Sequence, residues 1–323
     1  MHRRDILGLA LAATMAARHA AASGAWPDRP IRIIVPFPPA SGLDTTARLI
    51  ADPLAALLGQ PVLVENRSGA GGNVGAALVA RAAPDGHTLL ISSPGPLAAN
   101  QFVYRTMPYE TNTAFAPIVV LARNPMVIMT SNARPERDFA DLAAAVRAAA
   151  APLRYGTAGA GGGGHLTMEL LRSQQGLALE HVPFRGGAQG LLALAAGQIE
   201  FAIDAISAAW PQISSGVVRP IAVTGEARWP FLPEVPTVAE RGATGFAMTA
   251  WTVLAFPAGT PEPIVARMNA AVNQVIADPA MRQALLERGT LAGGGTPAEA
   301  EAFLREERIR WGSAVQASGA TAD

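Results

Sequence analysis

The run Gly159-Ala160-Gly161-Gly162-Gly163-Gly164 meets the spacing G-x-G-x-x-G, and Glu180 follows about 20 residues on. Between a strand and a helix, that spacing serves a dinucleotide. Glycines admit the pyrophosphate to the backbone, and the acid holds a ribose hydroxyl. A run this rich in glycine also meets many spacings by chance. The same loop suits a second chemistry, anion capture. Backbone N–H groups at a helix N-terminus are unpaired, the helix dipole adds roughly half a positive charge, and glycine permits close approach. The earlier segment Gly69-Ala70-Gly71-Gly72-Asn73-Val74-Gly75 has the wrong spacing for a dinucleotide but is another glycine loop before a helix.

Other candidates have plainer readings beside them. Ser41-Gly42-Leu43-Asp44 has capping-box spacing, so Ser41 and Asp44 either cap a helix only or also touch a ligand at a cleft rim. His165 opens a helix, where a histidine is more often a local hydrogen-bond partner than a base. Asp204 ends an apolar run at 199–203, on the side of a sheet where ligands collect, and either contacts a ligand or bonds locally. Arg185 reads as a solvated loop charge rather than a cleft cation. There is no G-x-S-x-G and no His-x-x-x-His, which leaves hydrolase and zinc-protease readings without support.

Composition removes more chemistry. The 323 residues include no Cys, and all 25 basic residues are Arg. Thiol nucleophiles, iron–sulfur clusters, disulfides and cysteine-held zinc are therefore excluded, with any P-loop or Schiff-base lysine. Formal net charge is zero, so no basic surface points to nucleic acid. With 50% hydrophobic and 15% charged residues the chain folds rather than staying disordered. Neither a metal nor a cofactor is expected.

Strand and helix signals alternate in two series. Apolar runs predict strands at 31–35, 62–64, 88–92, 118–121 and 126–130, with helical faces at 47–58 and 76–83. Pro53 is expected to kink or divide the first helix. The second series has strands at 153–157, 180–183, 199–203, 221–224 and 252–256, with helices at 141–150, 165–175 and 188–196. Three late helices carry start signals at Thr260-Pro261, Asp278-Pro279 and Thr296-Pro297-Ala298-Glu299, the last a capping box. This alternation predicts an α/β fold of two parallel sheets with helices on both faces, and a site between their strand ends.

Residues 1–22 read as an export signal. Arg3 and Arg4 precede an apolar run of about a dozen residues, too short to span a bilayer, and Ala20-Ala21-Ala22 offers a cleavage site. The Arg pair also has the shape of a twin-arginine signal. Cleavage after Ala22 leaves 22 Arg against 24 acids, a net charge of −2. The mature protein is expected in the periplasm.

Six segments, in order, then carry a resemblance: 29–39 (Arg-Pro-Ile-Arg-Ile-Ile-Val-Pro-Phe-Pro-Pro), 64–73, 83–90, His181-Val182-Pro183-Phe184-Arg185-Gly186, 232–238 and 257–261. Together they resemble the extracytoplasmic solute receptors of tripartite tricarboxylate transporters, the Bug family, over nearly the whole mature chain. The resemblance implies a two-lobed periplasmic binding protein of the Venus-flytrap type, type II-like, that is not an enzyme. It would take a small carboxylate and deliver it to membrane permease subunits, acting as a monomer. Expected boundaries are 23–124 plus about 252–295 for lobe 1 and 125–251 for lobe 2, with a C-terminal helix from about 296 packing on both. By position the ligand residues would be Pro39, Ala40, Ser41 and Asp44 after the first strand, and Ser92 and Ser93 after the third. The second lobe would add Thr157, Ala158, Gly161, Gly162, Gly163 and His165, with Asp204 at the cleft. Two departures matter. Ala40-Ser41 stands where the family usually has two glycines, and Ala160–Gly164 replaces a loop usually rich in Ser and Thr. The alternatives are an NAD(P)-dependent oxidoreductase using 159–164 and a periplasmic ligand sensor.

Overall fold

The computed structural model describes residues 26–39, 41–184 and 186–321. The export segment, Ala40 and Arg185 lie outside the described residues. The first strand, β1 (Ile31–Val35), shows how the layers arise. Its alternating side chains serve two cores, Ile31, Ile33 and Val35 on one face and Ile34 on the other. Helix α1 (Gly42–Leu58) lays Ala47, Ile50, Leu54 and Leu58 against the first face, and Gly59 in the left-handed conformation ends it. The helix is not divided at Pro53, one of the two outcomes expected there. Burial of Ile50 and Leu54 on either side outweighs the one lost hydrogen bond.

The remaining elements follow in order: β2 (Val62–Asn66), α2 (Asn73–Ala80), β3 (Thr88–Ser92), α3 (Asn100–Val103), β4 (Phe115–Ser131), α4 (Phe139–Ala148), β5 (Leu153–Thr157) and α5 (Gly163–Gln175). Then come β6 (Leu179–Pro183), α6 (Gly187–Ala195), β7 (Phe201–Ala205), α7 (Ile206–Ser214), β8 (Val218–Val223), β9 (Thr249–Pro257), α8 (Glu262–Ala277), α9 (Pro279–Leu286), β10 (Leu291–Gly294) and α10 (Pro297–Ser318). The strand order is β2-β1-β3-β9-β4-β7-β5-β6, with β8 and β10 also pairing β4.

β4 belongs to two sheets. Up to Pro125 it pairs β9 and β10, and from Met126 it pairs β7 and β8. The sequence divided this segment at residues 122–125. The structure shows one strand, because β9 continues the ladder past the polar stretch, with Arg123 opposite Trp251 and Asn124 opposite Ala250. Pro125, which has no N–H to give, stands where the partners change. The buried Thr224 ties the junction, accepting from Met126 N (3.1 Å) and donating through Oγ1 to Met248 O (2.6 Å).

The sheets are mixed rather than parallel. β1 is parallel to β2 and β3, and β5 to β6 and β7, but β4 and β9 run against every neighbour. These two strands carry the chain between the sheets in opposite directions, which a strand–helix rhythm does not encode. α7 was unread in the sequence. Among the late helices, Asp278 and Thr296 cap as expected, but Pro261 itself stands at the cap of α8, and Thr260 bonds back to Pro257 O (2.8 Å).

Candidate functional site

Loops at the carboxyl ends of β1, β3 and β5 converge on a cavity of about 550 Å³. Phe37, Gly71, Ser93–Gly95, Asn100 and Tyr104 line it from the first sheet's side, and Ala160–Gly163, His165 and Leu166 from the second's. Ala250 of β9, Trp311 of α10 and, just beyond that helix, Ala320 and Thr321 add to the wall. No charged side chain is among these described lining residues.

The glycine loop ends at the start of α5. Gly162 is the cap residue with no side-chain cap, and the first helical bond runs from Leu166 N to Gly162 O (3.0 Å). The N–H groups of Gly163, Gly164 and His165 consequently have no intrahelical acceptor. The loop is held from behind. Gly161 N donates to His165 Nδ1 (3.0 Å), and Thr157 Oγ1 donates to Gly159 O (3.1 Å) and contacts His181 Nε2 (2.7 Å). The rings of His165 and His181 stack at 4.0 Å, and Tyr155 continues the stack at 5.0 Å. Burial holds the His165 imidazole below its ordinary value. Burial and the neighbouring His165 push His181 down to about 4.

The expected site residues separate into groups. Ser93, Gly161, Gly162, Gly163 and His165 line the cavity. Ser41 caps α1, accepting from Asp44 N (3.3 Å), but its own N–H goes to Pro38 O, so the capping box is half made. Asp44 is buried and takes Arg48 Nε (3.1 Å) and Asn66 Nδ2 (2.9 Å). Asn66 Nδ2 also donates to Phe37 O (3.0 Å), so the Asp44 cluster positions a lining residue from behind. Thr157 supports the loop, Ala158 and Pro39 are exposed, and Ser92 is wholly buried with no partner for its hydroxyl. Asp204 is set back from the lining. Its Oδ1 accepts from Ala205 N (2.8 Å), its Oδ2 has no partner, and burial raises its pKa. A Cβ on Gly187 would stand 1.8 Å from that Oδ2, so the position requires glycine.

The sequence missed Phe37, Gly71, Asn100, Tyr104 and Trp311 as lining residues. Gly71, in the left-handed region at φ 61°, had a readable signal, since a Cβ there would meet Tyr104 Oη at 2.8 Å. Trp311 had none, because it falls on a buried helical stripe with Leu304 and Ala314. Its Nε1 donates to the buried Glu307 carboxylate (2.9 Å), which also accepts from Trp251 Nε1 (2.7 Å) and pairs with Arg310.

Two α/β lobes with a cavity at the strand ends of both make this a two-lobed periplasmic-binding-protein fold. The chain belongs to the tripartite tricarboxylate transporter receptor family, whose model matches residues 46–320. It is 33% identical to BugT of Bordetella pertussis over 297 residues, covering 91% of each chain. Among solved structures it is similar to Rpa4515 of R. palustris with adipate, at 37% identity and a TM-score of 0.77, covering 91% of this chain and 98% of that one. It is also similar to MatC of Rhodopseudomonas palustris with bound malate, at 35% identity and a TM-score of 0.73, covering 90% and 100%. Receptors of this family are periplasmic and bind solutes rather than transform them, which sets the oxidoreductase reading aside.

Proposed function

We propose that this receptor takes a small carboxylate into the cavity and delivers it to the membrane permease of a tripartite transporter. The uncapped start of α5, facing a cavity between two sheets, carries the reading. Hydrogen bonds to a charged acceptor are worth roughly 1.5–3 kcal/mol each, and a partly buried helix end adds up to about 2 kcal/mol. Micromolar capture needs about −8.2 kcal/mol net of association costs, within reach of three such donors and a dipole. Adipate and malate in two relatives support a carboxylate as the ligand class. The chain is exported by residues 1–22, starts near Ser23 and works as a monomer. Its lobes, 23–124 with 252–295 and 125–251, close on the ligand about the β4 and β9 crossings. Ser93 and residues 161–165 are the ligand contacts, with Ser41, Asp44, Thr157 and Asp204 holding the loops. A thermal-shift screen of the mature protein against carboxylates, with NAD and NADP included, tests this. Acids raise the melting temperature and the nucleotides do not; stabilisation by the nucleotides alone overturns it.

A further inference from the structure

A second cavity, of about 150 Å³, lies behind the first. Thr249 of β9 lines it while Ala250 lines the ligand cavity, and successive residues of a strand face opposite sides. On α10 the neighbours Arg310 and Trp311 divide in the same way. The two cavities therefore stand back to back across the crossing strands, at the junction that Thr224 ties. Both lobes supply walls. Arg123 of β4 and Leu291 of β10 come from the first, and the turn Gly225–Ala227 after β8 comes from the second. A Cβ on Gly225 would stand 3.2 Å from Pro125 Cβ, so glycine lets this turn lie close against β4.

Two guanidinium groups reach this space. Arg310 gives Nη1 to the buried Glu307, and its Nε and Nη2 take no partner among the described residues. Arg123 lies over the Phe303 ring at 4.6 Å and joins no ion pair among the described residues. Stacking fixes the plane of that guanidinium and leaves the N–H groups on its edge free to donate. Thr249 adds a hydroxyl. Glu226 is the one acid among the described lining residues, and it is exposed, so water solvates its carboxylate. Planar guanidinium forks match the edges of a phosphate or sulfate pairwise. The volume equals that of about five waters at roughly 30 Å³ each, enough for a tetrahedral oxyanion. We propose that this cavity binds a small inorganic oxyanion, phosphate or sulfate, between Arg123 and Arg310, with Thr249 as a further donor. The site is separate from the carboxylate cavity and does not depend on that reading.

Calorimetry of the mature full-length protein with inorganic phosphate, at fixed ionic strength, tests the site. Saturable binding of one phosphate per chain is expected, weakened at least about tenfold in Arg123→Gln. Glu226→Gln removes the opposing carboxylate and should tighten phosphate by about threefold. Gly162→Val, which blocks the α5 N–H groups, is expected to leave phosphate binding unchanged. Absence of saturable binding to the wild-type protein overturns the proposal. Phosphate lost in Gly162→Val but kept in Arg123→Gln lies in the ligand cavity instead, and that result overturns it too. Neither outcome bears on carboxylate capture. If Arg123→Gln does not fold, Glu226→Gln decides, because Glu226 is exposed and joins no ion pair among the described residues. Unchanged phosphate affinity in that variant overturns the proposal.

Discussion

Gly162 has φ −74° and ψ 167°, which any L-residue adopts, and an added Cβ meets nothing nearer than Gly159 O at 3.4 Å. Gly162→Val should therefore keep the melting temperature of the free protein while blocking approach to the α5 N–H groups. Carboxylate affinity is expected to fall by about a hundredfold, or about 2.7 kcal/mol; undiminished affinity by calorimetry sinks the assignment. The histidine stack gives a pH dependence. His165 accepts from Gly161 N and must be unprotonated at Nδ1 to do so. Both imidazoles have folded pKa values below their unfolded value, His181 at about 4. Groups depressed in this way stabilise the fold fully above about pH 6.5 and lose that contribution as pH falls through the folded value. The melting temperature should therefore decline from pH 6.5 towards 4, and less steeply in His181→Gln; parallel curves would rule this out. At this scale the sequence was legible where glycine or a cap marked a loop, as at 159–164 and Ser41. It was illegible at Phe37, Tyr104 and Trp311, because an apolar side chain lining a cavity has the same local pattern as one filling a core.

Helix α10 begins with a complete capping box, Thr296 to Glu299, and this much was readable from four residues. Its role was not readable. It packs against α5 of one lobe and against the segment Gly95–Ala99 of the other, with Arg308 donating to Leu97 O (3.3 Å) and Thr111 O (3.2 Å). Glu307 lies buried between two indoles, and burial pushes its carboxyl above the usual carboxylate range despite Arg310. Glu307→Leu leaves the N–H groups of Trp251 and Trp311 without an acceptor. It should cost on the order of 3 kcal/mol in urea unfolding, and a loss under about 1 kcal/mol would show that the network does not hold the helix. β4 was misread for a related reason. Residues 122–125 look like a turn, and only β9 and β10, more than a hundred residues away, make them strand.

For the molecule as a whole, the alternation of strands and helices gave the α/β class, and strand direction was hidden because it depends on how the chain returns between the sheets. Two crossings, β4 at Pro125–Met126 and the entry to β9 tied through Thr224, are expected to let the halves rotate as bodies. Small-angle scattering should show a smaller radius of gyration with saturating ligand, and superimposable curves would count against closure. The place of β9 also sets an order of assembly. It lies between β3 and β4 in the first sheet, yet it is made after the whole of the second sheet. Until Pro257 has left the ribosome, β3 and β4 have no strand between them, and two apolar edges stay open. A nascent chain therefore cannot complete its first lobe early, however strongly its opening strands attract one another. It remains threadable for most of its synthesis, and a fragment stopping before Thr249 is left with edges that invite aggregation.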